Sequence, residues 1–174
     1  MLEELKNNLW SQFGASIDML RNAITRWPAE RWNADKKFFY LSYHTLVFLD
    51  YYLTIPPPKE FSSALPFTLT DLDKIPPEAI DDVIPDRIYS KEELLKYLEF
   101  CRNKCQQLIN DLTEEKLNDR FIEQQEGGMN YALLEILLYN MRHVQHHAAQ
   151  LNMLLRQTIH DAPRWVARAE NKSN

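Results

Sequence analysis

Three of the five histidines of this 174-residue chain fall within five positions, in the segment Asn140-Met-Arg-His143-Val-Gln-His146-His147-Ala-Ala-Gln150-Leu151. The surrounding residues have the spacing of an amphipathic helix. On a helix, residues four apart are turned by about 40° and have Cβ atoms about 5–6 Å apart. His143 and His147 can therefore aim two imidazoles at one point, whereas His146 sits about 100° around from His147. A pair of neutral imidazoles four apart on a helix is a recurrent chelate for a borderline transition metal. Two ligands do not complete such a site, so a third must come from elsewhere in the fold.

The two remaining histidines are His44 and His160. His160 lies in a polar stretch and reads as a solvated surface residue. His44 lies in an apolar row with Tyr40, Val47, Phe48 and Tyr51, on a face that must turn inward. Burying several imidazoles without partners costs roughly 1–3 kcal/mol per unsatisfied group. From spacing alone two readings stand: a metal shared by His44, His143 and His147, or a hydrogen-bonded polar cluster. His146 belongs to the outer face by helical angle, with an outer-sphere orienting role as the other reading.

Composition bounds the protein class. Hydrophobic residues make up 45% and charged residues 26%, as in an ordinary globular domain. The net charge of −5, without a Lys/Arg cluster, argues against a nucleic-acid partner. The charged opening Met-Leu-Glu-Glu-Leu-Lys is unlike a signal peptide. No apolar run approaches the ~18–20 residues of a membrane span, so a cytoplasmic location is expected. Cys101 and Cys105 continue a stripe with Leu94, Leu98, Leu108 and Leu112 and read as core residues, not as a redox or metal pair.

The elements that position the histidines follow from periodicity. A first helix is expected over Leu2–Arg26, closed by Pro28, and a second over Phe39–Thr54, ended by Pro56-Pro-Pro58. From Pro56 to Tyr89 seven prolines predict an irregular crossover packed on the bundle. Ser90 with Glu93 forms a capping box for a third helix lasting to Leu112. Gly127-Gly128 marks a break, after which Asn130 is expected to cap a fourth helix running to Gln157. The fold class is thus all-α: a four-helix bundle over residues 1–157 with a long crossover between helices 2 and 3. The tail 158–174 is expected to fray, apart from Trp165 and Val166.

A mid-helix histidine on helix 2, a long crossover and His-x-x-His-His-x-x-Gln on helix 4 together resemble the DinB-like superfamily of metal-binding four-helix proteins. Trp32, His44 and His143-Val-Gln-His146-His147-Ala-Ala-Gln150-Leu151 carry the resemblance, which covers about Leu2 to Leu155. Where the family often has glycine two residues after the last ligand, this chain has Ala149. The resemblance implies a divalent metal, zinc or nickel foremost, on His44, His143 and His147. Similar proteins include bacillithiol S-transferases, mycothiol-dependent isomerases and metal-dependent hydrolases.

Three imidazoles leave an open coordination position, which suits activation of a water or a low-molecular-weight thiol toward a small-molecule substrate. Arg142 and Arg156 are candidates for a carboxylated thiol by proximity in sequence alone. Asp50 and Glu135 stand at poor helical angles for a general base. Tyr40, Tyr43, Tyr51 and Tyr139 read more readily as core than as pocket donors. A homodimer is expected, and the competing reading is a non-catalytic metal- or ligand-binding bundle. A di-metal carboxylate bundle is excluded, because Leu41 and Asn140 stand where Glu-x-x-His pairs would need glutamate.

Overall fold

A computed structural model describes residues 1–169. Four helices dominate: α1 (Leu2–Arg26), α2 (Lys36–Tyr52), α3 (Lys91–Asn110) and α4 (Leu133–Ile159). Two short hairpins, β1 (Phe67–Leu69) with β2 (Val83–Pro85) and β3 (Arg120–Ile122) with β4 (Asn130–Ala132), occupy the connections. The protein is an all-α four-helix bundle. No helix among the described residues is long and apolar enough to cross a membrane.

Helix α1 forms as its stripe requires. Phe13, Ile17, Leu20 and Ile24 are fully buried, and Glu3 and Glu4 occupy the first turn, where the helix dipole favours acidic groups. It stops at Trp27, whose backbone is extended before Pro28. Helix α2 starts three residues earlier than expected. Asp35 accepts from the Phe38 N–H, so its side chain supplies the N-cap, and Lys36 and Lys37 extend the helix toward it. Ser90 and Glu93 form the expected capping box of α3. Cys101 and Cys105 are fully buried on the α3 stripe as free thiols, and desolvation pushes both thiol pKa values up.

The chain order does not follow neighbourhood. Helix α1 packs on α3 and α4, and α2 packs on the same two helices, so α1 and α2 stand diagonally across the bundle. The short link between them spans that diagonal under an aromatic plug. Trp27 stacks on Phe38 at 4.0 Å, and the Trp32 indole donates to the Tyr89 carbonyl at 2.8 Å. That bond fastens the end of the crossover to the start of α2.

Two expectations need correction in the loops. The crossover is not structureless: β1 and β2 pair antiparallel in the register Phe67↔Pro85, Thr68↔Ile84, Leu69↔Val83. Three-residue strands lie below what periodicity can detect. Asn130 does not cap α4. It lies in β4, and its side chain accepts from Arg120, while the first free N–H of the helix, on Leu133, is taken by the Asp119 carbonyl. The β3–β4 turn uses Gly127 at φ +76°, in the region glycine tolerates without strain.

Helix α4 runs two residues past Gln157, to Ile159, and ends at an exposed His160 in the left-handed conformation. The tail beyond it does not fray over 161–169. Arg26 and Asp161 pair, the Val166 N–H meets the Met19 sulfur, and the Ala169 N–H donates to the Ser11 carbonyl. Gly14 of α1 permits this strap, since a Cβ there would stand 2.6 Å from that of Ala169. Residues 170–174, the rest of the expected tail, lie outside the described residues.

Candidate metal centre

Diagonal placement of α1 and α2 leaves α2 facing α4 along a shared wall, and the three histidines meet there. His44 projects from the middle of α2, and His143 and His147 from successive turns of α4. Asn140, one turn before His143, is fully buried and donates from Nδ2 to the Leu49 carbonyl at 3.0 Å. A buried amide bonded to the partner helix's backbone costs too much to slide, so it holds the register in which the imidazoles oppose.

One nitrogen from each ring can be chosen so that all three lie within 4.8 Å of one another. The closest approach is His44 Nε2 to His143 Nε2, at 3.0 Å. Ring centroids are 5.1 Å apart for His44–His143, 4.8 Å for His44–His147 and 4.5 Å for His143–His147. Nitrogens bound to one tetrahedral divalent ion at ~2.0–2.1 Å sit about 3.3 Å apart, close to the nearest pair here.

The outward nitrogens settle which faces turn inward. His147 Nδ1 lies 2.7 Å from the Gln150 side-chain oxygen. An amide oxygen only accepts, so Nδ1 carries the proton and the Nε2 lone pair of His147 is free. His44 Nδ1 lies 2.7 Å from Asp81 Oδ2, at ion-pair distance but out of line for a straight hydrogen bond. A carboxylate likewise favours a proton on that nitrogen, leaving His44 Nε2 as a lone pair. His143 Nδ1 is buried and without a hydrogen-bond partner. Two lone pairs and a third ring with one proton to share form a donor set deficient in positive charge, which a metal cation fits. The three-histidine group can hold a metal ion.

The surroundings disfavour the charged forms of His143 and His147. Phe48 lies 4.7 Å from the His44 ring and 5.9 Å from that of His143, and Tyr52 meets His143 edge-on at 5.9 Å. Burial among these aromatics, then repulsion from the other histidines, lowers the His143 pKa from 6.5 to about 3. Desolvation likewise lowers His147 to about 4, against an opposing contribution from its Gln150 hydrogen bond. His146 is exposed on the outer side of α4, with its ring 5.0 Å from that of His147.

Two cavities flank the centre. One, of about 650 Å³, is lined by His143 together with Arg142, His146 and Trp165. The other, of about 720 Å³, runs between α2 and the crossover past Phe48, Tyr51, Phe61 and Phe67. Of the two arginines singled out in the sequence, Arg142 borders the first cavity, while Arg156 is exposed near the end of α4. Asp50 faces α3 and is held by Lys104 and Tyr97, and Glu135 is exposed. The Tyr43 hydroxyl serves the carbonyls of Leu65 and Pro66, and that of Tyr51 serves Glu123. Both tie loops to α2 and stay away from the histidines.

Sequence reasoning missed Asp81. Nothing in Asp81-Asp82 within a proline-rich crossover marks one carboxylate as a partner of a histidine 37 positions earlier. Gln150 was visible as the last residue of the His-x-x-His-His-x-x-Gln motif, but its bond to His147 follows only from the side-chain geometry.

No curated protein and no solved structure matches this sequence. The DinB superfamily does, over residues 12–151, a span that opens in α1 and contains His44, His143 and His147. With four helices, a long crossover and three converging imidazoles in the order that resemblance implies, the chain belongs to the DinB superfamily.

Proposed function

We propose that the protein is a metal-dependent enzyme in which His44, His143 and His147 hold one divalent transition metal, zinc or nickel, to activate a small thiol or water against a small electrophilic substrate. The observation that carries this reading is the convergence of three imidazoles, with the His147 Nδ1 bonded to Gln150 and the His44 Nδ1 beside the Asp81 carboxylate, so that the Nε2 atoms are left for the shared point. A divalent cation there would supply Lewis acidity and lower the pKa of the group that reaches its open position.

The chain's own residues would do the rest. Phe48 and Tyr52 exclude water from the inner side, which strengthens every electrostatic interaction at the centre. Arg142, on the wall of the His143-lined cavity, offers a fixed positive charge to a carboxylate on a thiol or substrate. The apolar groove beside Phe48 offers a place for the nonpolar part of the electrophile. The functional unit is the bundle over residues 1–157 with the strap that carries Trp165 to the cavity wall, acting in the cytoplasm as a homodimer.

Elemental analysis of tag-free protein tests the reading. One divalent metal per chain is expected, lost in both His44→Ala and His147→Ala while the helical circular-dichroism signal persists. Protein that carries no metal and takes up none from zinc or nickel salts would reduce the centre to a polar cluster and remove the enzyme reading with it.

A further inference from the structure

The crossover supplies a fourth polar group to the centre, and it is held before it reaches the histidine. Asp81 stands two residues ahead of β2, and its Oδ1 accepts the N–H of Val83 at 3.1 Å. Its other oxygen, Oδ2, faces His44 Nδ1 at 2.7 Å. The neighbouring Asp82 carbonyl takes the Thr70 N–H at 2.9 Å, so the hairpin backbone is itself tied immediately after this point. The carboxylate thus has one oxygen committed to the backbone and one 2.7 Å from an imidazole nitrogen, out of line for a straight hydrogen bond but with no competing acceptor on that nitrogen among the described residues.

We infer that Asp81 is the positioning residue of the centre: it fixes His44 in the Nδ1–H tautomer and so directs the His44 Nε2 lone pair at α4. The imidazole has one proton to place, and an ionised carboxylate can only accept it. With the proton on Nδ1, the lone pair falls on Nε2, the atom 3.0 Å from His143 Nε2. The other tautomer would turn a second N–H toward α4 and remove a ligand. Gln150 does the same for His147 from within α4, whereas Asp81 does it from a different element. The crossover is therefore coupled to the centre as well as covering α2. The consequence for metal affinity rests on the proposed function above; the tautomer assignment does not. Partners of this kind typically change metal affinity by about 10–100-fold when removed.

Asp81→Asn makes the sharpest test, because the new side chain is isosteric but cannot satisfy both neighbours as a carboxylate does. Its oxygen must stay on the Val83 N–H, which leaves its NH₂ against His44 Nδ1 and favours the opposite tautomer. Long-range ¹H–¹⁵N spectra of metal-free, imidazole-labelled full-length protein at about pH 8, where imidazoles are neutral, read the tautomer directly. Nδ1–H for His44 in the wild type and Nε2–H in Asp81→Asn are expected, with Asp81→Glu keeping the wild-type pattern. Zinc competition on the same samples should show affinity lowered about 10–100-fold in Asp81→Asn and largely restored in Asp81→Glu. The same His44 tautomer in the wild type and Asp81→Asn would overturn the inference, whatever zinc does. A tautomer switch between the wild type and Asp81→Asn, with a wild type that binds no zinc, would leave Asp81 its positioning role and remove the metal reading alone. An unfolded Asp81→Asn is distinguished by its amide spectrum, and Asp81→Ala, which should leave His44 as a mixture of tautomers, then carries the test.

Discussion

Helix α2 carries two polar clusters six residues apart, and they solve burial in opposite ways. Asp50, facing α3, is 5% exposed. Its Oδ2 accepts from the Tyr97 hydroxyl at 2.7 Å and its Oδ1 from Lys104 Nζ at 2.5 Å. Lys104 also donates to Thr54 Oγ1 at 2.6 Å, and Ser63 donates to the Tyr97 oxygen at 3.0 Å. Unlike charges meet, and each named group has a partner. His44 meets two groups of its own kind toward α4, with the Asp81 carboxylate at 2.7 Å on its outer nitrogen, and at most one proton can be shared between His44 and His143. Burial penalises a charge on the His143 and His147 rings, and the His143 Nδ1 has no hydrogen-bond partner. The first cluster is complete as it stands and clamps α2 and the crossover to α3. The second could take a cation from outside, so geometry that is poor for stability suits a metal centre.

That contrast can be broken first at His143. His143→Ala should abolish stoichiometric metal binding, a loss larger than the roughly 10–100-fold expected for an orienting partner, as read by zinc competition. Its cost to the metal-free fold should be small, under about 1 kcal/mol, because the ring it removes already has an unsatisfied nitrogen. Asp50→Ala should do the reverse. Removing one member of a buried ion pair leaves Lys104 and Tyr97 uncompensated and should cost about 3 kcal/mol in denaturant unfolding, with zinc affinity unchanged. A similar stability loss in both variants would show that the two clusters are not different in kind.

Acid titration sharpens the same distinction at smaller amplitude. His143 and His147 have folded-state pKa values of about 3 and about 4, below the ordinary 6.5. Between those values and 6.5 the unfolded chain binds protons that the folded chain refuses, so stability falls as pH falls through that window. The slope should reach at most about 1.4 kcal/mol per pH unit for each imidazole. Denaturant midpoints of metal-free protein from pH 7 down to pH 4 would measure it. The His143→Asn, His147→Asn double variant should give a flatter profile, and an unchanged slope would place the acid sensitivity elsewhere.

What the sequence revealed divides along similar physical lines. Long stripes are redundant, so α1 could be bounded by Leu2 and Arg26 from periodicity and Pro28, and the Ser90–Glu93 box marked α3. The grouping of His44 with His143 and His147 was legible because a helix converts spacing into direction, and the superfamily resemblance favoured ligands over a polar cluster. Neighbour relations were not legible. Nothing in the short Trp27–Asp35 link indicates that it crosses a diagonal, because that depends on how four apolar faces share one core. Asp35 as the cap of α2 and Asn130 as a strand residue were decided by single hydrogen bonds, with no periodic signal behind them. Asp81 was hidden for the same reason: its role depends on a hairpin three residues wide.

Gln150 offers the finest test of how much of the centre is built within α4 alone. It lies three residues after His147, and its side-chain oxygen receives the Nδ1 proton at 2.7 Å. Gln150→Ala removes that acceptor without disturbing the α2–α4 register, which Asn140 holds independently through the Leu49 carbonyl. The His147 ring should then turn more freely and divide its proton between two nitrogens, weakening zinc binding about tenfold, the lower end for such partners. Gln150→Glu keeps an acceptor and adds charge, so it should bind zinc at least as tightly as the wild type. The two substitutions thus separate tautomer control from packing. Equal loss in both would mean that the amide acts by filling space, and that the crossover carboxylate, not α4, sets the orientation of the ligands.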